Sequence, residues 1–295
     1  MSMFRDNPKA DELFLPDWNN SLPPGWGEKI NKFGDLVFSD CNIGDLKITK
    51  EKLPKLTRID LNRSVLNSFE GLPDELPSLK KIRLADVVIG SLEGLPSSLP
   101  NLEHIEISNT NLESLKGFPQ HLPKLRYLKL SNNKLKWLEG LPTELPNLEN
   151  IYFDVDKIDG FPKKMPRLLT LNFKCPISTS LKGMPVHLPD LEHFRFDMDN
   201  LLNMEHFPKD LPKLISFRFT APKLRTLIGL PSKLPNLKHF NFSNEKLTSL
   251  KEFLQDSIRL ELITIDSSLI TSLEGLPPEL PNLGKIFLKN NKKLT

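Results

Sequence analysis

The chain has 295 residues, of which 38% are hydrophobic and 26% are charged, and this composition is typical of a folded protein. Its 40 basic and 37 acidic residues leave a net charge of only +3, which disfavours a surface built to neutralise nucleic-acid phosphates. No segment approaches the ~20 consecutive apolar residues that a membrane-spanning helix needs. We therefore expect no nucleic acid and no membrane among the partners.

The first 29 residues contain no repeat and no apolar run of the kind found in a secretory signal. Trp18 and Trp26 lie here among several prolines. We interpret residues 1–29 as a cap over the open end of a repeat array, and a docking peptide is the alternative. Cys41 and Cys175 lie too many repeats apart to form a disulfide bridge, which favours a reducing, cytoplasmic setting.

One pattern fills residues 30–295, and it is clearest in residues 117–142, GFPQHLPKLRYLKLSNNKLKWLEGLP. The second proline of each pair recurs at Pro54, Pro77, Pro100, Pro123, Pro146, Pro166, Pro189, Pro212, Pro235 and Pro281. Successive spacings are 23 residues, apart from 20 after Pro146 and a double spacing of 46 after Pro235. A constant period of this length indicates a solenoid of about twelve units, with the last one incomplete.

Each unit predicts one short strand followed by an irregular return. The segment LRYLKL alternates polar and apolar residues, which is the period of a half-buried strand. Glycine and paired prolines follow, and proline cannot donate a hydrogen bond within a sheet. We predict a curved right-handed stack of about twelve parallel strands on a concave face, with an irregular or 3₁₀ convex side.

The positions Leu125, Leu128, Leu130, Asn133 and Leu135 read LxxLxLxxNxL, and the units resemble leucine-rich repeats. The segment NKLKWLEGLPTELPNLENI is similar to the class found in the leucine-rich regulatory subunit of protein phosphatase 1 and in the internalins. The resemblance covers about residues 30–295. It implies a solenoid fold, and it leaves the partner open because such repeats host many functions.

The resemblance also implies an asparagine ladder at the turn after each strand. In chain order that position holds Cys41, Ser64, Val87, Thr110, Asn133, Asp156, Pro176, Asp199, Pro222, Glu245, Ser268 and Asn291. Only two are asparagine, so we expect a patchy ladder that is weakest at Pro176 and Pro222. In the same region the inward positions become phenylalanine, which predicts a stacked column in the core at Phe173, Phe194, Phe196, Phe217, Phe219, Phe240 and Phe242.

Catalytic and metal-binding motifs are absent from the sequence, including GxxxxGK[ST], GxSxG, HExxH and CxxC. His104, His193 and His239 share one outward column, but the last two lie two repeats apart, too far to share a zinc ion. We therefore expect no enzyme, no cofactor and no metal.

Two groups of outward residues on the strand face are candidate partner-binding sites. Tyrosine and arginine are enriched at binding hot spots, and the only two tyrosines lie on neighbouring strands. The first group contains Tyr127, Tyr152, Arg126, Lys129 and His104. The second contains His193, Arg195, Arg218 and His239. The alternative is an ordinary solvated face, since any twelve-strand face carries some of these residues.

The favoured hypothesis is a non-enzymatic module that binds a protein through its concave face. One rival is the target-recruiting arm of a larger enzyme, for example a ligase or a kinase, whose catalytic domain is absent from this chain. Another is a self-assembling structural repeat. We expect a monomer, with an end-to-end contact at the uncapped C-terminus as the alternative.

Overall fold

The computed structural model describes residues 34–46, 53–231, 233–251, 256–266 and 268–294. The predicted cap, residues 1–29, lies outside this part of the chain. Twelve of the strands form one parallel sheet. With strands numbered in chain order, these are β1 (Asp35–Ser39), β3 (Arg58–Asn62), β5 (Lys81–Ala85), β7 (His104–Ser108), β8 (Tyr127–Leu130), β9 (Asn150–Asp154), β10 (Thr170–Lys174), β11 (His193–Asp197), β12 (Ser216–Thr220), β13 (His239–Ser243), β14 (Leu262–Asp266) and β15 (Lys285–Lys289). A second sheet contains β2 (Asn42–Asp45), β4 (Val65–Ser68) and β6 (Val88–Ile89).

The twelve-stranded sheet is parallel throughout, and each strand pairs with the strand of the next unit. Leu36 pairs with Ile59, and the same one-unit offset continues to β15. The second and fourth residues of most strands are buried, while the first, third and fifth face solvent or are half-buried. No helix is found in the described residues. The fold is thus a leucine-rich repeat solenoid, as the period predicts.

The shortened unit between Pro146 and Pro166 leaves the sheet undisturbed. Strands β9 and β10 pair in register, with Asn150 opposite Thr170 and Phe153 opposite Phe173. The three missing residues are therefore removed from the return segment. Backbone bonds bridge the shorter return, for example from Lys157 N to the Lys136 carbonyl at 2.9 Å.

The second sheet was not predicted. It lies in the return segments of the first three units, where β2 pairs with β4 and β4 with β6. These segments carry Ile43, Val65 and the pair Val88–Ile89, and β-branched residues favour extended backbone. In later units the equivalent segments are irregular.

Two tight turns shape the return segment of a typical unit. In the glycine turn, Leu95 N donates to the Leu92 carbonyl, and in the proline turn, Leu102 N donates to the Leu99 carbonyl. Gly94 has a φ of +91°, and a Cβ there would lie 2.2 Å from a backbone carbon of the preceding unit. Only glycine fits both the left-handed conformation and the close approach. Outside the three units that carry the second sheet, the predicted irregular return is confirmed, and its tight turns are single hydrogen-bonded turns.

The phenylalanine column is confirmed as core. Phe153, Phe173, Phe196, Phe219 and Phe242 stack ring on ring through five successive units, with centroid distances of 5.1, 5.6, 5.4 and 5.3 Å. All are at most 3% exposed. Near-parallel rings at this spacing suit the lateral distance between strands, so the units stack through their side chains as well as their backbones.

The asparagine ladder is correctly predicted at both asparagines. The Asn133 side-chain oxygen accepts from the Thr110 backbone N–H at 3.1 Å, and its amide donates to the Ile107 carbonyl at 2.9 Å. Asn291 makes the equivalent bonds one unit beyond Ser268. In both cases one side chain forms hydrogen bonds with backbone groups at the turn of the preceding unit.

The predicted ladder position is wrong by one residue in the phenylalanine-rich units. Val155, Cys175, Met198, Ala221 and Asn244 are buried there. The residues that follow them, Asp156, Pro176, Asp199, Pro222 and Glu245, are half-buried or exposed. In earlier units a left-handed residue such as Asn132 (φ 56°) separates the strand from the ladder, and these units lack it. The chain therefore turns inward one residue sooner.

Asn244 consequently joins the ladder in place of Glu245. It is 1% exposed, and its amide donates to the carbonyls of Ala221 at 2.6 Å and Leu224 at 2.7 Å. Its oxygen accepts from the backbone N–H of Lys246 at 2.7 Å. Cys175 makes a weaker contact of the same kind, its thiol donating to the Asp156 carbonyl at 3.1 Å. Burial raises the pKa of this thiol to about 11, so it stays protonated.

Candidate functional site

The candidate site lies on the solvent-facing side of the twelve-stranded sheet, called here the sheet face. Its side chains come from the first, third and fifth residues of each strand. Because all strands are parallel and in register, equivalent residues of successive units form straight rows at ~4.8 Å spacing. A substitution in one unit therefore changes one place in a row and leaves its neighbours fixed.

The structure brings three predicted residues into one aromatic strip: His104, Tyr127 and Tyr152. The His104 and Tyr127 rings stack at 4.3 Å with planes 4° apart, and Tyr127 meets Tyr152 at 5.6 Å in a tilted arrangement. The strip crosses β7, β8 and β9. Stacking fixes the rings in place, so a partner would meet them without their first having to lose conformational freedom.

An ion chain lies beside the aromatic strip and consists of Asp60, Arg83, Glu106 and Lys129. Arg83 Nη1 lies 3.0 Å from Asp60 Oδ1, and its Nε lies 3.7 Å from Glu106 Oε2. Lys129 Nζ donates to Glu106 Oε1 at 3.0 Å. The four side chains are 18–33% exposed. Half-buried pairs that share partners form a network that is held more firmly than isolated surface pairs.

Glu106 is the centre of this network. It also accepts a hydrogen bond from the Ser108 hydroxyl at 3.2 Å. Burial alone would raise the pKa of Glu106, but the hydrogen bond and charge of Lys129 and the charge of Arg83 outweigh it, and the pKa is lowered. Glu106 therefore stays ionised and holds both cations on the sheet face.

Burial affects the aromatic strip in a simpler way. It lowers the pKa of His104, and the nearby charge of Lys81 acts in the same direction. His104 Nε2 lies 3.9 Å from Glu106 Oε2, beyond hydrogen-bonding distance. Burial also raises the pKa of Tyr127. Near neutral pH both rings are therefore uncharged, and the strip offers an apolar surface bordered by the ion chain.

Arg126 does not join the strip. It precedes β8 and lies at the rim of the sheet, where Nη2 is 2.7 Å from Glu149 Oε1. Together with Glu103, Lys124, Asn147 and Arg167 the pair lines a shallow hollow of about 310 Å³. The structure thus separates Arg126 from Tyr127, its neighbour in sequence, and places it in a different charged environment.

The second predicted group is more dispersed. His193 and His239 lie on β11 and β13, with Ser216 of β12 between them. Arg195 bonds Asp197 of its own strand at 3.1 Å, and it stands opposite Arg218 in the register. Arg218 opens into a groove of about 290 Å³, the arginine groove, whose polar lining is Arg218, Thr220, Asn241, Ser243, Thr264, Asp266 and Lys289.

Sequence reasoning named Lys129 but missed Glu106 and Arg83 as members of the site. The signal was present, because Asp60, Arg83, Glu106 and Lys129 alternate in charge at a constant offset of 23 residues. In a parallel solenoid this offset makes residues lateral neighbours, so opposite charges at that spacing predict ion pairs.

Within the described ranges, no group of three or more His, Cys, Asp or Glu residues is placed to hold a metal ion. The described residues likewise contain no helix that is long and apolar enough to cross a membrane.

Several known structures have a similar fold at low sequence identity. No protein family and no curated protein sequence matches the chain. Internalin F of Listeria monocytogenes is 14% identical, with a TM-score of 0.48 over 91% of this chain and 87% of that one. Internalin C2 of the same organism is 18% identical, with a TM-score of 0.45 over 80% and 81%. YopM of Yersinia enterocolitica is 22% identical, with a TM-score of 0.34 over 84% and 67%. The likeness is one of fold alone.

Proposed function

We propose that the chain is a protein-interaction module that binds a protein segment on its sheet face, at the aromatic strip and the ion chain. The observation that carries this proposal is the stacked set His104, Tyr127 and Tyr152, held in place beside charged residues that are already paired. Rigid aromatic groups bordered by fixed charges are typical of binding hot spots, since little freedom is lost on association.

The chemistry of the strip favours a protein over a nucleic acid. The ion chain alternates in sign, so its two carboxylates would repel a phosphate backbone as much as its two cations attract it. The tyrosine rings suit apolar and aromatic side chains, and Lys129 and Glu106 offer polar complements at the border. A partner segment with an apolar anchor and mixed charges fits this surface.

The test is affinity capture from a lysate of the source cells, with nuclease-treated and untreated arms. We expect the parent chain to retain a protein that the double variant Tyr127→Ala, Tyr152→Ala loses, with at least a tenfold fall in affinity once that protein is purified. Two hot-spot truncations of about 1–2 kcal/mol each would produce a loss of this size. Capture should survive the nuclease.

The matched control is Trp137→Ala. Trp137 is 40% exposed and lies in a return segment, away from the sheet face. Loss of this exposed aromatic residue should leave capture unchanged. If the double variant retains the partner as well as the parent does, the aromatic strip is not the binding site. If nuclease abolishes capture, the ligand is a nucleic acid and not a protein.

The rival hypotheses predict different outcomes. A recruiting arm of a larger enzyme requires a transcript that continues into a catalytic domain, and transcript sequencing decides this. Self-assembly requires a mass that rises with concentration in light scattering, whereas the expected monomer has a constant mass. A cytoplasmic setting likewise stays a proposal, which imaging of the tagged protein in source cells tests.

A further inference from the structure

The third residues of successive strands form one row on the sheet face, and Arg218 differs from the other cations in this row. Arg83 and Lys129 each bond a carboxylate of a neighbouring strand, and Arg195 bonds Asp197 of its own strand. In the part of the chain that the structure describes, no hydrogen bond or ion pair is found for the side chain of Arg218. Its own strand offers Thr220 where Arg195 has Asp197.

The neighbours of Arg218 make this arrangement costly. Arg195 stands directly opposite on β11, and like charges on adjacent strands repel each other. Asn241 stands opposite on β13. Two cations therefore face each other, and the carboxylate of Asp197 is bonded to only one of them, Arg195. An anion placed against Arg218 would complete the alternation seen in the ion chain.

The lining of the arginine groove suits such an anion. Across the described residues, the side chains of Thr220, Asn241, Ser243 and Thr264 form no intramolecular hydrogen bond, so their donors are available. The groove's carboxylate, Asp266, lies towards the far end, where it accepts from the Asn290 amide at 2.9 Å and stands opposite Lys289 in the register. The end formed by Arg218 therefore presents donors and positive charge.

We propose that the Arg218 end of this groove binds a carboxylate side chain of the same partner segment that contacts the aromatic strip. This inference rests on the proposed function. Tyr152 and Arg218 share one row three strands apart, a distance of roughly 14 Å, which an extended peptide covers in about four residues. Residues four apart in an extended peptide point to the same side, so one segment can reach both places.

The test is an NMR titration that observes the arginine Nε–H signals, with hexaglutamate as the probe. We expect hexaglutamate to shift one signal that is missing from Arg218→Gln, and that variant to bind at least tenfold more weakly. Arg225→Gln is the matched control, because Arg225 is an exposed arginine outside the groove. The thermal midpoint of Arg218→Gln should equal or exceed that of the parent, since the substitution removes a repulsion. A merely structural arginine would lower it.

Equal affinity of Arg218→Gln and the parent for hexaglutamate would overturn the proposal. So would tighter binding at Arg218 of inorganic phosphate or a dodecathymidylate, which would assign the groove to phosphate. The variant Tyr127→Ala, Tyr152→Ala should bind hexaglutamate as the parent does. Failure of the groove proposal and failure of the aromatic-strip proposal are therefore separate results.

Discussion

Replacing Phe196 with leucine tests how much the phenylalanine column stabilises the solenoid. Phe196 is fully buried, and its ring stacks on Phe173 at 5.6 Å and on Phe219 at 5.4 Å. Each aromatic pair contributes about 0.5–1.5 kcal/mol beyond its buried area. Leucine occupies the same inward position in regular units, as at Leu130, so the backbone accepts it without strain. We expect a loss of about 2–3 kcal/mol, which includes a small cavity contribution.

The assay is urea denaturation followed by circular dichroism, with hydrogen exchange of β11 amides to show that the loss is local. Phe287→Leu is the control, because Phe287 is 45% exposed and its replacement should cost below about 0.5 kcal/mol. A loss under about 1 kcal/mol at Phe196, or a loss equal to that of the control, would mean that the stacked rings add nothing beyond their volume.

Three further predictions concern turns, the ladder and pH. Gly94→Ala should destabilise far more than Gly183→Ala in urea denaturation, since an added Cβ lies 2.2 Å from backbone at the first and 3.4 Å from its nearest atom at the second. Equal losses would show that backbone strain alone matters. Asn244→Ala should cost about 3 kcal/mol because it leaves buried groups unpaired, and half-buried Asn200→Ala, whose bond to the Pro176 carbonyl is solvent-exposed, should cost under about 1 kcal/mol. Burial lowers the pKa of His104, so the folded state binds its proton less readily than the unfolded chain, and stability should fall as pH drops below about 6.5. His104→Gln should lessen that fall, and an unchanged pH profile would contradict this reasoning.

The sequence was sufficient to predict the twelve-stranded sheet and the core beneath it. Leu128 and Leu130 alternate with polar residues, and the same two positions recur at 23-residue intervals, so strand, burial and lateral neighbour all follow from one period. The column through Phe196 and Phe219 was predictable for the same reason. Regular stacking converts a position in sequence directly into a position in space.

The ladder shift at Asn244 escaped prediction because it depends on backbone conformation after the strand. Asn132 and Asn109 adopt positive φ and delay the inward turn by one residue, whereas Met198 and Ala221 turn inward at once. Apolar residues at these last two positions were visible in the sequence. Apolar residues at these positions indicate burial. The prediction applied the same 23-residue spacing to every unit, and this placed Met198 and Ala221 in the turn before the ladder position.

The candidate site was predictable in composition but not in pairing. The sequence placed Tyr127, Tyr152 and Arg218 on one face, yet which cations already have partners depends on side-chain reach. Arg195 bonds Asp197 of its own strand, while Arg218 has no carboxylate at that place. The difference between a satisfied and an available arginine therefore needed the structure.

The in-register stacking of units also determines how the chain can fold. Side-chain hydrogen bonds that join neighbouring units link residues 19 to 26 positions apart. A typical separation of 23 residues in 295 corresponds to a relative contact order of about 0.08, within the range of helical bundles and well below that of β-sandwiches. Each added unit closes a loop of nearly constant length, so the entropy cost per step is also nearly constant. The solenoid should therefore grow unit by unit from any neighbouring pair of units that forms first.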